Sequence, residues 1–313
     1  MMRHVDTLVI GGGAAGMAAA LGADAAGKSV LLIEKNEDLG GILTQCLHHG
    51  FGLGLFKEDL TGPQYAARFI KKLAASSVSV ETCCSVVRLG KDQSALLSGR
   101  SWTSEVTFDR CILASGARER TMNGLLLSGS RPSGIFTAGQ AQTLVNLGGY
   151  HIGRNIVILG SGDVGQIMAR RLTINGCRVI AMIEKEARPG GLLKNREECL
   201  KAFHIPLILR STITGIHGHG RISGVTVRHL DTGSTHRIDC DTLITSIGLI
   251  PDQDLADPVR AGGQLPGWLT TAGNCLRIYD RVDNLSMDAA AAGGGSKDIW
   301  RQYETAESIN EST

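Results

Sequence analysis

The chain has 313 residues, 42% of them apolar, and its 32 basic and 30 acidic residues leave a formal charge of +2. That length suffices for two domains, each with its own buried core. The balanced charge excludes a broad electrostatic field that would draw in nucleic acid or an anionic membrane surface, so any acidic ligand must be met locally.

In chain order, Val5–Ile10 reads as a buried strand running into Gly11, Gly13 and Gly16. It is too short for a membrane span and leads to glycines rather than a small-residue cleavage site, so neither a membrane span nor a signal peptide is expected. Alanine-rich Ala14–Ala26 reads as a helix stopped by Gly27, and Ser29–Ile33 as a second strand ending at Glu34 and Lys35. Gly40, Gly41 and then Cys46, His48 and His49 follow. Cys83 and Cys84 are predicted to lie inside a strand. The short alternating segments of Ser85–Phe108 predict a small antiparallel meander crossing the sheet, and Cys111–Gly116 a buried strand closed by glycine.

The same order then returns. Asn155–Leu159 is a buried strand before Gly160, Gly162 and Gly165, Val164–Asn175 a helix stopped by Gly176, and Arg178–Ile183 a strand ending at Glu184 and Lys185. A second meander, Thr212–Asp239, precedes the strand Thr242–Gly248. Beyond Pro251 come Leu269–Asn274, a small-residue helix over Asp288–Ala292, and a polar tail, Trp300–Thr313, that reads as a frayed helix. Cys46, Cys83, Cys84, Cys111, Cys177, Cys199, Cys240 and Cys275 lack paired spacing, which argues against a disulfide framework or any metal site and favours a reducing cytoplasm.

The repetition is an internal duplication. Gly11, Gly13, Gly16, Gly27 and Val30 recur 149 residues on as Gly160, Gly162, Gly165, Gly176 and Val179. After a one-residue slip, Glu34, Lys35, Gly40 and Gly41 recur as Glu184, Lys185, Gly190 and Gly191. In such a unit the first glycine permits the tight turn, the second lets the backbone approach a pyrophosphate, and the third packs helix against strand. The phosphates sit on the helix N-terminus, and the acid at the end of the second strand accepts from ribose hydroxyls. Glu184 would repel a 2′-phosphate, favouring NAD(H) over NADP(H), with Lys185 beside it moderating the preference. The fold class predicted is α/β, two Rossmann-like three-layer domains, each with a small antiparallel meander. Residues 1–120 and 251–313 form one domain, and 121–250 are inserted as the second.

These residues resemble the pyridine-nucleotide-dependent flavoproteins that include glutathione reductase and thioredoxin reductase, over nearly the whole chain. Gly11–Gly16 with Glu34 is similar to the family's FAD fingerprint and Leu113–Arg118 to its strand-end motif, with Ser115 for threonine. Gly160–Gly165 is similar to its NAD fingerprint, Ile247–Pro251 to its second strand-end motif, and Ala272–Asn274 to its late FAD motif, with Asn274 for aspartate. The resemblance implies FAD at Gly11, Gly13, Ala14, Ala15, Gly16, Glu34, Lys35, Gly40, Gly41, Ile42, Gln45, Val86, Ala114, Ser115, Gly116, Gly273 and Asn274. It implies NAD(H) at Gly160, Gly162, Asp163, Val164, Gly165, Glu184, Lys185, Ile247 and Gly248. Asn274 keeps the hydrogen-bonding capacity of the usual aspartate without its charge. Between Asp254 and Trp268 the chain is shorter than the family pattern, lacking a strand before the late FAD motif.

Gly40–Gly52, Leu60–Pro63, Phe136–Gln142 and Ile167–Leu172 further resemble a subfamily encoded beside glycerol-3-phosphate oxidase-like flavoproteins. That implies electron relay between NAD and a partner flavoprotein subunit; self-association is also compatible. Disulfide reductases need two redox cysteines near the flavin, and no such pair occurs here. Cys46 is either a small packed thiol beside the flavin or a redox group. His48 and His49 either protonate reduced flavin or a substrate, since imidazole titrates near neutrality, or serve local hydrogen bonding. The expected chemistry is hydride transfer between NAD(H) and flavin. A free-standing NADH oxidase or quinone-type reductase, and a non-catalytic nucleotide-binding subunit whose shortened 254–268 segment has cost FAD affinity, are the alternatives.

Overall fold

The computed structural model describes residues 3–125 and 127–296, and the chain divides into two compact units, Met1–Arg118 with Ile250–Thr313, and Glu119–Leu249. The tail expected to be helical, Trp300–Thr313, lies outside the described residues.

The first unit opens with β1 (Arg3–Ile10), α1 (Ala14–Ala25) and β2 (Val30–Ile33). Helix α2 (Gly62–Ala74) starts at a capping box in which Thr61 and Gln64 satisfy each other's backbone N–H groups. Then follow β3 (Ser79–Glu81), β4 (Ser85–Leu89), β5 (Ser94–Ser98) and the long β6 (Thr103–Leu113). The sheet order is β3-β2-β1-β6-β5-β4. β1 pairs parallel with β2 from Thr7↔Val30 to Ile10↔Ile33, and with β6 from Arg3↔Val106 to Ile10↔Leu113. Residues alternate faces along β1: Val9 enters a core with Met17, Leu21, Tyr65 and Phe69, while Leu8 and Ile10 enter the opposite core with Phe108 and Leu113.

The second unit carries β7 (Ile135–Thr137), β8 (Asn155–Leu159), α3 (Asp163–Ile174), β9 (Arg178–Ile183) and β10 (Leu207–Ile208). The strands β11 (Ser211–His219), β12 (Arg221–His229) and β13 (Thr235–Ile238) form the meander, and β14 (Thr242–Thr245) closes the unit. Its central sheet is parallel throughout, in the order β7-β14-β8-β9-β10. The chain then returns to the first unit with β15 (Leu269–Thr271) and α4 (Val282–Gly293).

Helix α1 is almost entirely buried and built of alanine, glycine, Met17 and Leu21, the composition of a helix enclosed on all sides. Its contact with α4 is backbone-close: a Cβ on Gly22 would lie 2.3 Å from the Ala290 carbonyl oxygen, and one on Gly293 2.2 Å from that of Ala19. The shortened segment before β15 leaves no gap in this sheet. β15 pairs directly and in parallel with β6, Leu269↔Cys111 to Thr271↔Leu113, beside the stretch where β5 pairs antiparallel with the start of the same strand. Within this segment a 3-10 turn at Asp257–Val259 buries Ala256 and Val259 against the second core.

Three sequence expectations change. The first meander is continuous with the parallel sheet because its third strand and the predicted strand at Cys111 are one element, β6. The second, expected to repeat the plan of the first, forms a separate sheet in which β11, β12 and β13 are joined by Ser128–Gly129. Between β13 and β14 the Asp241 carboxylate accepts from the N–H groups of Arg154 and Asn155 at the start of β8. Cys83 and Cys84 lie in the loop after β3, outside any strand; Cys83 has φ of 51°, which strand pairing excludes.

Candidate functional site

Each unit presents a strand, a glycine turn, a helix N-terminus and an acid, and the two can be compared atom by atom. In the first, Gly11 has φ of 104°, and a Cβ there would lie 2.5 Å from the Ala114 carbonyl oxygen. A Cβ on Gly16 would lie 1.6 Å from the Gly11 carbonyl oxygen, so only glycine lets α1 sit on β1 this closely. Gly13 faces open space and is the N-cap of α1 without a side-chain cap. The N–H groups of the first turn at Ala14 and Ala15 are thus left for a ligand.

Glu34, only 4% exposed, accepts from the N–H of Gly12 (2.7 Å) and of Asn36 (2.8 Å). The second glycine pair closes on the first: the Gly40 N–H donates to the Gly12 carbonyl (2.8 Å), and a Cβ on Gly41 would lie 3.1 Å from Gly13 Cα. Ala114, Ser115 and Gly116 continue β6 past Gly11; Ala114 N–H donates to the Ile10 carbonyl and Ser115 Oγ to that of Asp252 (2.5 Å). Gly273 packs on α1, where a Cβ would lie 2.4 Å from that of Ala15. Asn274 Oδ1 accepts from the Tyr279 N–H (3.1 Å), which leaves its amide as a donor.

The second unit repeats this. Gly160 has φ of 95° and a Cβ there would lie 2.0 Å from the Ser246 carbonyl oxygen, while Gly162 faces open space as the N-cap of α3, again without a side-chain cap. Ile247 packs against that unit's core and the Gly248 carbonyl accepts from Arg120 N–H. Glu184, 8% exposed, accepts from Ser161 N–H (2.9 Å), Ser161 Oγ (2.6 Å) and Glu186 N–H (3.0 Å). Burial works against its charge, but the Ser161 hydroxyl and the Glu186 and Ser161 N–H groups outweigh it and hold the carboxyl below its usual range.

Both cradles fit an adenine dinucleotide: an uncapped helix N-terminus, an N-cap glycine facing open space, and an acid held by backbone N–H groups at the end of the second strand. Some predicted residues stand apart from these turns. Lys35 is exposed, Lys185 points to solvent and pairs with Glu186 at 3.6 Å, and Val164 is 40% exposed. Asp163 Oδ1 accepts from Leu192 N–H and Asn195 Nδ2, both at 2.7 Å, so it fastens the 190–196 segment over the turn. Val86 comes two residues after Cys84, whose N–H donates to the Glu34 carbonyl; its half-buried side chain packs on the core.

The 3-10 turn Gly41–Gln45 carries exposed Ile42 and buried Gln45 into Cys46. Burial pushes the Cys46 thiol up to about 12, and it donates to the Ile42 carbonyl at 3.2 Å. At neutral pH it is therefore a protonated, weakly nucleophilic thiol. Among the described residues no two cysteines form a disulfide. His48 stacks obliquely on Phe51, ring centroids 5.0 Å apart, and His49 Nδ1 meets the Asp59 carbonyl oxygen at 3.0 Å. Cys46→Ser is expected to leave flavin reduction by NADH within about threefold of the parent rate, measured by stopped flow; a loss of a hundredfold or more would restore a redox role.

Sequence reasoning missed Ser161 and Gln166, both wholly buried; Gln166 Nε2 donates to the carbonyls of Ser161 (2.6 Å) and Gly190 (2.9 Å). Position 161 is a variable slot of the glycine pattern, and aligning the copies shows serine where the first has Gly12. Also missed was Asp283, buried in the first turn of α4, which accepts from the Gly54 N–H at 2.8 Å and ties the glycine-rich loop to that helix. Among the described residues no helix is long and apolar enough to cross a membrane, and no cluster of side chains could hold a metal ion.

A family model described as pyridine nucleotide-disulphide oxidoreductase matches residues 5–271. Sarcosine oxidase subunit alpha of Rhizobium meliloti is 28% identical over 277 residues, which span 85% of this chain but only 26% of that protein. Thioredoxin reductase of Treponema pallidum is 26% identical over 255 residues, 80% of this chain and 78% of that one. The crystal structure of Lactococcus lactis thioredoxin reductase has the same fold, with a TM-score of 0.75 at 16% identity over 95% of this chain and 99% of that one.

Proposed function

The chain belongs to the pyridine nucleotide-disulphide oxidoreductase family and is an FAD-dependent NAD(P)H oxidoreductase; from that premise we propose that it relays electrons between NAD(H) and a second redox protein, a partner flavoprotein subunit, without a disulfide of its own. The observation that carries this is the duplicated cradle, two glycine turns each with a buried acid.

Bound together, FAD and NAD(H) supply hydride exchange and two-electron storage. The chain binds and orients them. In the first unit, the α1 N-terminus, Gly11, Gly13, Gly16, Gly40 and Gly41 take the FAD pyrophosphate, and Glu34 its ribose. Ala114, Ser115, Gly116, Gly273 and the Asn274 amide line the flavin side. In the second unit the α3 N-terminus and Gly160–Gly165 take the NAD(H) pyrophosphate and Glu184 its ribose. Cys46 packs as a buried thiol, and in the adjoining loop His48 stacks on Phe51 while His49 bonds the Asp59 carbonyl.

Two further points support the relay. The likeness to sarcosine oxidase covers part of a protein named as a subunit, which favours a shared electron path. The sequence motifs of Gly40–Pro63 and Phe136–Gln142 point to a glycerol-3-phosphate oxidase-like partner. The test is anaerobic absorption spectroscopy of the purified protein, with NADH and NADPH titrated separately. Bleaching of a flavin band by NADH at far lower concentration than by NADPH is expected. A protein that stays colourless after incubation with FAD would sink the proposal, and rapid turnover with oxygen alone would replace the relay by an oxidase.

A further inference from the structure

The two acids are held by different numbers of bonds. An ionised carboxylate offers about four acceptor sites. Glu34 uses one on each oxygen, for the N–H groups of Gly12 and Asn36, so each oxygen keeps one for a ribose hydroxyl. Glu184 has both sites of Oε2 filled, by the N–H and the hydroxyl of Ser161, and one site of Oε1 filled by Glu186 N–H. At most one acceptor site remains, because the Lys185 N–H also interacts with this carboxylate. The direction of the Ser161 hydroxyl is fixed, because its oxygen accepts from Gly190 N–H at 2.8 Å and its proton must go to Glu184. Ser161 is wholly buried, so water does not compete for either bond. In the first unit the matching link is made by backbone alone, Gly40 N–H to the Gly12 carbonyl, and the acid keeps its capacity.

We infer that Ser161 is the positioning residue that makes the second cradle the looser of the two, by occupying the acceptor site with which Glu184 would grip a second ribose hydroxyl. The first cradle grips both hydroxyls and suits a dinucleotide that stays; the second grips one and suits a dinucleotide that leaves at every turnover. The inference rests on the assignment of FAD to the first unit and NAD(H) to the second. It also sets nucleotide choice: with one acceptor site, Glu184 can bond the 3′-hydroxyl of NADP(H) as well as that of NAD(H), and discriminates by charge repulsion only.

The experiment is NAD⁺ and NADP⁺ binding to the oxidised, FAD-loaded protein by titration calorimetry, for the parent, Ser161→Gly and Ser161→Thr. Freeing one acceptor site for a charge-assisted bond is expected to tighten NAD⁺ about tenfold in Ser161→Gly and to widen the NADP⁺/NAD⁺ ratio by a similar factor. The KM for NADH should fall with it, and kcat should fall only where release limits turnover. Ser161→Thr, which keeps the hydroxyl, should bind like the parent. Unchanged or weaker NAD⁺ binding in Ser161→Gly overturns the inference. Should that variant fail to fold, the reciprocal pair decides: Gly12→Ser is expected to release FAD at least tenfold faster than Gly12→Ala, read as flavin fluorescence on dilution. Both place a Cβ 2.4 Å from the Leu39 side chain, and only one adds the hydroxyl; equal release overturns the inference. A parent protein that never takes up FAD would instead sink the proposed function, while its NAD⁺ affinities would still report on Ser161.

Discussion

Gly16→Ala is expected to remove bound flavin altogether and to lower stability by about 3 kcal/mol or more, while Gly165→Ala at the equivalent place costs under about 1.5 kcal/mol. The new methyl at position 16 would lie 1.6 Å from the Gly11 carbonyl oxygen and 2.8 Å from its carbon. Backbone must move, and it is the backbone of the glycine turn itself, so the N–H groups of the α1 N-terminus lose their aim. At position 165 the nearest atoms are the Gly160 carbonyl oxygen and Ser246 Cβ, both at 3.0 Å, which a few tenths of an ångström of adjustment can relieve. Denaturant unfolding of the flavin-free proteins and the 450 nm absorbance of the purified ones check both. Equal losses in the two variants would mean that the helix–strand separation does not differ between the units as the contacts indicate.

Glu184→Gln is expected to raise the KM for NADH roughly ten- to hundredfold with kcat at saturation nearly kept, the pattern of lost uniform binding. An amide cannot accept at both ends, and its NH2 would face the N–H donors of Ser161 or Glu186. The same change alters acid stability. Because the folded carboxyl is held below its ordinary value of 4.5, the unfolded state takes up the proton first as pH falls. The stabilisation from the charged form is therefore complete at neutral pH and disappears as pH falls from about 4.5 through the folded value. The stability difference between parent and Glu184→Gln should be flat near pH 7 and shrink below that point. A difference that persists unchanged to pH 3 would show that Glu184 is not held charged by Ser161 and Glu186.

Much of this was legible because glycine periodicity and strand-end acids are local signals. Val5–Ile10, Asn155–Leu159 and Arg178–Ile183 lie within or coincide with β1, β8 and β9, and Gly27 and Gly176 end their helices with positive φ. Helix α4 starts six residues before the predicted Asp288, because Val282–Met287 is mixed in polarity and gives no stop or start signal. The strand at Cys111 could not be joined to the meander from sequence, since apolar runs do not say whether a neighbouring turn is made. Nor could the effect of the shortened 254–268 segment be judged, because whether β15 reaches β6 depends on where the two ends lie in space.

The sequence by itself determined the duplicated strand, glycine turn, helix and acid, and the residue types a dinucleotide needs. These follow from backbone sterics and spacing, which are properties of neighbours along the chain. Tertiary structure alone decided that Cys46 is buried, that Asp163 fastens a crossing segment, that Asn274 has one end of its amide engaged, and that Ser161 shares the acceptor sites of Glu184. Each of those depends on burial and on hydrogen-bond partners brought from distant parts of the chain, and a carboxylate's remaining capacity is known only once those partners are in place.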